Sequence, residues 1–224
     1  MIRLVDATRS FRVGPTVVEA LRGISLTVAA GERVAVMGTS GSGKTTLVHL
    51  LALLDRPTSG SYLLDGRDVA ALSDDELSVL RNREIGMVFQ GFNLIPQRTC
   101  LENVALPLIY RGATRAQAHT AAHAALRRVG MAERATSRSG SLSGGQQQRV
   151  AIARAIVGAP PVLVADEPTG ALDRRTGLEI LDLLLGLNEE GTTLVVVTHD
   201  PEIGARCGRI VELHDGRLAA GSAH

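Results

Sequence analysis

The segment that says most about the architecture is Gly38-Thr39-Ser40-Gly41-Ser42-Gly43-Lys44-Thr45. An apolar run from Arg33 to Met37 precedes it and a helical pattern from Lys44 to Leu54 follows, which gives the order strand, glycine-rich turn, helix. The spacing fits GxxxxGKS/T, in which backbone amides at a helix N-terminus surround a phosphate group. The lysine of this motif reaches the β- and γ-phosphates, and the last hydroxyl coordinates magnesium. The segment therefore predicts a phosphate-binding loop, while kinases, GTPases, helicases and transport ATPases all stay open as functions.

Lys44 is unusual in the composition as well as in the motif. It is the only lysine in a chain with 24 basic side chains. Because arginine serves wherever a generic cation is needed, the retained lysine indicates a position that requires a compact ammonium group on a flexible stem. The composition thus supports Lys44 as a phosphate ligand.

Length, charge and cysteine content limit the classes of function. With 224 residues and 45% hydrophobic content, the chain can bury the core of one domain that carries an inserted subdomain. Its 24 basic and 23 acidic side chains leave almost no net charge, which argues against nucleic acid as a partner. No apolar run approaches the roughly 20 residues that cross a bilayer, so a soluble, cytosolic protein is expected. Cys100 and Cys207 are expected to be reduced packing residues, with neither a disulfide nor a zinc site.

The periodicity of the rest of the sequence predicts an α/β fold. Ile2 to Thr8 and Gly23 to Val28 have the patterns of strands and indicate an antiparallel β-sheet at the start of the chain. Five further strands are predicted, at Ser61 to Leu64, Ile85 to Phe89, Val162 to Ala165, Thr193 to Val197 and Ile210 to Leu213. Helices are predicted at Asp74 to Arg81 and Thr176 to Glu190.

Between Gly91 and Ala155 the sequence pattern is helical. Three S/T-x-x-E/Q capping boxes predict helix starts there, at Thr99 with Glu102, Thr114 with Gln117, and Ser143 with Gln146. Gly130 and Gly158 are predicted to end helices. We therefore expect one domain over residues 1–224, with a mainly parallel core in residues 1–90 and 156–224 and a helical insertion at 91–155.

Two adjacent carboxylates follow the apolar strand Val162 to Ala165. Asp166 can hold the shell of a magnesium ion, and Glu167, which points in a different direction, can polarise a water for in-line attack on a γ-phosphate. By itself a carboxylate pair at a strand end is often only a solvated turn. In a chain with a phosphate-binding loop, the pair favours a hydrolase over a kinase.

The segment Leu142-Ser143-Gly144-Gly145-Gln146 resembles the LSGGQ signature of ATP-binding-cassette (ABC) ATPases. Physically it is a second helix N-terminus, and the capping box explains Ser143 and Gln146 but not the two glycines. Glycine is unfavourable in a helix, so the pair predicts close approach by a ligand or by backbone. In the family, this segment closes over the γ-phosphate bound by the opposite subunit, so the resemblance implies a head-to-tail homodimer around two Mg-ATP.

Other family motifs follow in the expected order. The resemblance implies that Gln90 senses magnesium and the attacking water, that Asp173 lies in a loop crossing the dimer interface, and that His199 contacts the γ-phosphate. It also places Phe11 where the family has an aromatic residue that stacks on adenine, although a core position fits Phe11 equally well. The implied catalytic residues are Lys44, Gln90, Glu167 and His199, and the implied magnesium ligands are Thr45, Gln90 and Asp166. The implied nucleotide contacts are Phe11, Gly38, Thr39, Ser40, Gly41, Ser42, Gly43, Lys44, Thr45, Thr46, Ser143, Gly144, Gly145, Gln146 and Asp173.

The resemblance covers essentially the whole chain. It implies the fold of a P-loop NTPase cassette with an antiparallel β subdomain and an inserted helical subdomain. Motifs such as Leu101-Glu102-Asn103-Val104 are similar to the branch that contains macrolide-export and lipoprotein-release ATPases. That branch implies a separate transmembrane permease as partner, export as the direction, and a location on the inner face of the cell membrane.

Three alternatives remain open from the sequence. A cell-division ABC ATPase signals through a permease-like partner, and a DNA-repair ABC ATPase has a coiled coil or a cysteine cluster that is not evident here. The third open question concerns a surface and not a class of protein: the apolar side chains that follow Gln90 form either the core of the insertion or a groove for a permease helix. These side chains are Leu94, Ile95, Leu106, Leu108, Ile109 and Tyr110.

Overall fold

The computed structural model describes residues 1–219, so the last five residues of the predicted core segment lie outside it. The described strands are β1 Ile2–Val13, β2 Thr16–Val28, β3 Arg33–Met37, β4 Ser59–Leu64, β5 Arg67–Asp68, β6 Ile85–Val88, β7 Val162–Asp166, β8 Thr193–Val197, β9 Arg209–His214 and β10 Arg217–Leu218. The described α-helices are α1 Lys44–Leu51, α2 Asp74–Glu84, α3 Cys100–Tyr110, α4 Arg115–Arg128, α5 Gly144–Ile156, α6 Arg174–Glu189 and α7 Pro201–Ala205.

Two sheets form the framework. The first is antiparallel, in the order β2-β1-β4-β5, and confirms the predicted antiparallel start. The second has the order β10-β9-β3-β8-β7-β6, and all of its pairs except β10 with β9 are parallel. Since parallel strands end at the same edge of a sheet, the residues that follow β3, β6, β7 and β8 come close together.

The three predicted capping boxes all form. Thr99 Oγ1 accepts from Glu102 N at 3.1 Å, and the boxes at Thr114 and Ser143 show the same reciprocal bonds. Gly130, with φ of +73°, follows α4 as predicted. Helix α5 ends at Ile156, two residues before Gly158, but Gly158 does not take the left-handed conformation that makes glycine a helix stop. The left-handed residue after α5 is Ala159, with φ of +48°. The Arg111 guanidinium lies where a Cβ on Gly158 would be, so glycine leaves room for this side chain beside the turn after α5.

The two faces of the parallel sheet contribute to two separate hydrophobic clusters. Side chains alternate along β3, so Val34 and Val36 pack with α1 and the antiparallel sheet, whereas Ala35 packs with α3 to α6. The second cluster runs without interruption from β7 into helices α3, α4 and α5. The predicted helical insertion therefore shares its core with one face of the sheet. Within residues 1–219, no helix combines the length and the apolar character that crossing a bilayer requires.

Candidate active site

The glycine-rich loop lies between the end of β3 and the start of α1. Helix α1 begins without a side-chain cap, and Gly43 precedes it in a left-handed conformation with φ of +104°. A Cβ on Gly43 would come within 2.6 Å of the Ala20 carbonyl oxygen, so both the conformation and the space require glycine. Lys44 Nζ donates to the carbonyl oxygens of Gly38 at 2.7 Å and Thr39 at 2.8 Å. The loop thus wraps around the lysine ammonium at the N-terminus of a helix, which is a favourable place for an anion.

An open cavity of about 800 Å³ lies over this loop. It brings together the loop residues with four predicted site residues from the ends of other strands, namely Gln90, Asp166, Glu167 and His199. The loop residues that line it are Gly38, Thr39, Ser40, Gly41, Gly43, Lys44, Thr45 and Thr46. Ser42 is buried below the loop, where its carbonyl accepts from Gly216 N at 2.9 Å.

Sequence reasoning missed one wall of this cavity. Val18, Glu19, Ala20 and Arg22 of β2 line it together with Asp215 and Gly216 of the turn between β9 and β10. Arg22 N donates to the Gly216 carbonyl at 2.8 Å, which joins the antiparallel sheet to the parallel one at the cavity edge. No local pattern marks these residues, because the contact depends on the packing of two sheets.

Glu167 is held in place by backbone and side-chain bonds. Its φ is +44°, unusual for a residue with a side chain, and its amide donates to the Val197 carbonyl at 2.8 Å. Glu167 Oε1 lies 2.7 Å from Nδ1 of His199. The Glu167 side chain is only 15% exposed, whereas the His199 side chain is 71% exposed, and both residues line the cavity. The carboxylate is therefore fixed and the imidazole is accessible to a ligand.

Gln90 contacts the segment that follows the carboxylate pair. A Cβ at Gly170 would come within 2.9 Å of Gln90 Nε2, so the glycine allows the amide to lie against this segment. Gln90 follows β6, and Gly170 follows β7. The glutamine thus links the ends of two neighbouring strands at the cavity.

Asp166 ends β7 in register with Val197 of β8. Burial, and then the neighbouring Glu167 charge, raise the pKa of Asp166 above its usual value, while the charges of His49 and Lys44 act in the opposite direction. A carboxylate with a raised pKa is stabilised by a cation, so Asp166 is suited to a metal or to a positively charged ligand.

We expect Asp166→Asn to raise the melting temperature at pH 7. A raised folded-state pKa means that the unfolded chain ionises more readily, so ionisation of Asp166 lowers stability as the pH rises from the unfolded pKa to the folded pKa, and the loss stays constant above that. Asparagine removes this cost but also removes the carboxylate. The gain in melting temperature is expected to shrink as the pH falls below the folded pKa and to vanish at about pH 2 to 3, where the carboxyl group is protonated in both states. Thermal scans from about pH 3 to 8 test this, and a variant that melts lower than the parent at pH 7 contradicts it.

The structure places Phe11 beside the cavity, outside its lining. The Phe11 ring packs under the Arg9 guanidinium, 4.7 Å from Cζ to the ring centroid. Its cross-strand partner on β2 is Val18, which does line the cavity. The described conformation thus provides no aromatic wall from Phe11.

The signature segment does not line the loop cavity. Ser143 caps α5, where its Oγ accepts from Gln146 N at 3.4 Å and its amide donates to Gln146 Oε1 at 3.1 Å. None of the residues 143–146 lines the cavity over the phosphate-binding loop. The structure therefore has two helices, α1 and α5, that begin in glycine-containing segments. Only the N-terminus of α1 lines this cavity.

The two glycines of the signature segment lie against side chains of the same chain. A Cβ on Gly145 would overlap Cγ2 of Thr176 on α6, and one on Gly144 would lie 3.3 Å from Cδ2 of Leu172. Packing within the chain therefore accounts for Gly145. At Gly144 the contact is looser, and the predicted close approach of a ligand or of backbone stays a prediction.

Asp173 caps helix α6. Its carboxylate accepts from Thr176 N at 3.0 Å and from Thr176 Oγ1 at 2.7 Å, and these two bonds hold the pKa of Asp173 below its usual value. Asp173 lines a neighbouring cavity of about 410 Å³, which Glu167 and His199 also line. The structure thus places Asp173 next to the carboxylate and histidine pair, outside the loop cavity.

Comparison with known proteins agrees with this geometry. Residues 21–170 match the family model described as ABC transporter. The chain is 47% identical over 223 residues to an uncharacterized ABC transporter ATP-binding protein, YknY, of Bacillus subtilis, with 100% of this chain and 97% of that protein covered. It is 50% identical over 216 residues to the macrolide export ATP-binding/permease protein MacB of Bdellovibrio bacteriovorus, which covers 96% of this chain and 33% of that protein.

A solved structure gives the same result. A dimeric ATP-binding cassette, MJ0796, in a post-hydrolysis state bound to ADP and Pi, superposes with a TM-score of 0.90 at 44% identity, covering 97% of this chain and 96% of that one. The chain therefore spans nearly all of YknY and about a third of MacB. The predicted fold class is confirmed, and the chain belongs to the ABC transporter family as an ATP-binding, ATP-hydrolysing cassette.

Proposed function

We propose that two copies of this chain close head to tail around two Mg-ATP and that hydrolysis drives a separate membrane permease. The observation that carries the proposal is the pair of helix N-termini, of which α1 faces the loop cavity and α5 does not. An ATP bound over α1 leaves its γ-phosphate exposed, and α5 of a second copy offers the matching anion site. The dimeric cassette bound to ADP and Pi supports this arrangement.

Each residue of the cavity has a role in this scheme. Lys44 and the loop amides bind the β- and γ-phosphates, and Glu167 accepts a proton from the attacking water. His199, the accessible partner of Glu167 at 2.7 Å, contacts the γ-phosphate and orients the base. Gln90 contacts the water or the metal from the end of β6. Ser143, Gly144, Gly145, Gln146 and Asp173 act across the dimer interface, while Phe11 lies beside the adenine.

The residues fit a magnesium ion. The Thr45 hydroxyl and the Asp166 carboxylate line the same cavity, and both are oxygen ligands of the kind that magnesium prefers. Within residues 1–219 no three His, Cys, Asp or Glu side chains are grouped as a metal site of their own. That is consistent with magnesium, which keeps several waters and takes phosphate oxygens as ligands. The ion would neutralise charge on the phosphates, and Thr45, Asp166 and Gln90 would hold it.

We expect the specific ATPase activity to rise with protein concentration. If each ATP needs the loop of one chain and Ser143 of another, the active species is the dimer, and dilution lowers the rate per chain. Steady-state assays over about two decades of protein concentration at saturating Mg-ATP measure this. A rate per chain that is constant over the whole range, with the protein monomeric by sedimentation, contradicts the proposal.

A groove on the surface fits a permease helix. It has a volume of about 660 Å³ and runs between α2, the start of β6 and the end of α3, with Val79, Met87, Phe89, Pro107 and Tyr110 among its walls. Of the six apolar side chains considered above, only Tyr110 lines it, while Leu94 and Leu108 pack on the core of the insertion. The proposed partner surface therefore shares only Tyr110 with the apolar side chains considered from the sequence.

The groove is also positively charged. Arg81, Arg83, Arg111 and Arg154 line it, and no carboxylate does. Burial, and then the neighbouring Arg83 charge, lower the pKa of Arg111, while the Glu84 charge acts in the opposite direction. We propose that the permease helix brings an apolar face together with an acidic side chain. The names of the MacB and PvdT relatives favour export over a cell-division or DNA-repair role, and binding here would hold the chain on the inner face of the membrane.

We expect Val79→Asp to weaken co-purification with a co-expressed permease by at least about tenfold. Val79 lines the groove and is 53% exposed, so the substitution need not disturb the fold but repels an acidic partner. Ile109→Asp is the matched control, because Ile109 is 41% exposed on α3 and does not line the groove. If Val79→Asp co-purifies with the permease as well as Ile109→Asp does, the coupling surface lies elsewhere.

The domain division is part of the same proposal. We propose that residues 1–90 and 156–224 form the ATP-binding core and residues 91–155 a helical subdomain that moves with the permease. The continuous cluster that joins α3, α4 and α5 to β7 supports treating the chain as one domain.

A further inference from the structure

Helix α5 carries the signature residues at its N-terminus, and it also contacts the segment around Gln90 on both sides. Before Gln90, the buried Gln148 directs its Nε2 toward the Phe89 carbonyl at 3.5 Å and donates to the Pro168 carbonyl at 2.6 Å. After Gln90, Arg154 donates from Nη2 to the Phe92 carbonyl at 2.8 Å and from Nη1 to the Asn93 carbonyl at 2.5 Å.

The Arg154 contact depends on an unusual backbone. Phe92 and Asn93 are consecutive non-glycine residues in the left-handed region, with φ of +60° and +51°. Such residues are strained and persist only where the surroundings hold them. This conformation directs both carbonyls toward one planar guanidinium, which suits arginine better than lysine.

Arg154 is half-buried and has no carboxylate partner within residues 1–219. Its burial lowers the pKa of the guanidinium, with no acidic neighbour to offset that cost. The two carbonyls are therefore the main compensation for placing this cation here.

The same segment touches the other end of α5. Phe92 Cζ lies 3.6 Å from the position of a Cβ on Gly144, the first residue of the helix. Phe92 therefore contacts α5 through its carbonyl near the C-terminus and through its ring near the N-terminus. Phe92 and Arg154 thus connect the Gln90 segment to both ends of the 13-residue helix that begins beside Ser143.

We propose that Arg154 is a positioning residue that couples the Gln90 segment to the signature residues Ser143 to Gly145 through helix α5. Nucleotide in the loop cavity acts on Gln90, and Arg154 transmits the change to the anion site that α5 offers to the second chain. Arg154 also lines the permease groove, so a helix bound there reaches the same residue. This inference rests on the proposed head-to-tail dimer.

The test uses Arg154→Met and Arg154→Lys in a chain that also carries Glu167→Gln. ATP binding to the monomer is measured with a fluorescent ATP analogue, and ATP-dependent dimerisation by sedimentation. Arg149→Met is the control, because Arg149 lies on the same helix and donates to the Val129 carbonyl at 3.2 Å and to Glu179 Oε2 at 3.0 Å, and neither partner belongs to the Gln90 segment. We expect Arg154→Met to weaken dimerisation about tenfold and to leave nucleotide binding within about twofold, since two charged hydrogen bonds are lost outside the loop cavity.

Arg154→Lys is expected to weaken dimerisation less than Arg154→Met, because an ammonium can still reach one of the carbonyls. It also decides the outcome if Arg154→Met does not fold. Arg154 variants that dimerise like the parent, or that lose nucleotide binding in parallel with dimerisation, overturn the coupling role. A parent that stays monomeric in ATP overturns the proposed dimer itself, which is a distinct result.

Discussion

Glu167→Gln is expected to lower ATP turnover about 10²–10⁴-fold and to leave a stable ATP-bound dimer. The amide cannot accept a proton from the attacking water, but it keeps the shape of the carboxylate and its place beside His199. The substitution also removes a negative charge next to Asp166, so phosphate binding is not weakened. The variant should therefore bind ATP and form the dimer, but hydrolyse the ATP too slowly for the dimer to dissociate.

The measurement combines a single-turnover ATPase assay with sedimentation in Mg-ATP and in Mg-ADP. The dimer is expected in ATP and not in ADP alone, since ADP without phosphate leaves the site on α5 without its anion. His199→Ala serves as a comparison, because it removes the hydrogen-bond partner at 2.7 Å and leaves the carboxylate in place. It should bind ATP normally and hydrolyse it slowly. A Glu167→Gln chain that stays monomeric at micromolar concentration in Mg-ATP would argue against both the base and the dimer.

Local sequence patterns predicted most of the elements of the fold. Strands β3 and β8 have the predicted bounds, because short apolar runs between turns are unambiguous in a buried parallel sheet. The hairpin of β1 and β2 is longer than predicted, since its outer half is exposed and lacks alternation. Helix α1 ends at Leu51, whereas the predicted end was Leu54. Leu53 has a φ of +55°, which a right-handed helix does not allow.

The candidate site was predictable wherever a motif specifies a backbone shape. The phosphate-binding loop, Asp166, Glu167, Gln90 and His199 share one cavity because they follow strands that end at one sheet edge. Contacts between distant segments had no such pattern, so the β2 wall of the cavity was missed. Two motif positions have surroundings that the motif does not specify. The Phe11 ring lies under the Arg9 guanidinium and does not line the cavity, and Gly145 lies against Thr176.

The composite site predicts complementation between two inactive chains. Lys44→Ala removes the phosphate ligand of the loop and keeps α5 intact. Ser143→Asp keeps the cap of α5, because aspartate caps helices well, but it places a negative charge where the second chain's γ-phosphate would bind. Each variant alone should lose about a hundredfold or more in turnover. In a mixed dimer, Lys44 of one chain and Ser143 of the other still form one complete site.

The measurement that tests the central claim is the ATPase rate of the two variants mixed in equal amounts. Random pairing makes half of the dimers mixed, and each mixed dimer keeps one intact site, so the rate should rise to at most about a quarter of the parent's. Each variant mixed with more of itself is the control and should stay inactive. A mixture that is no faster than the sum of the two separate variants would contradict a site built from two chains.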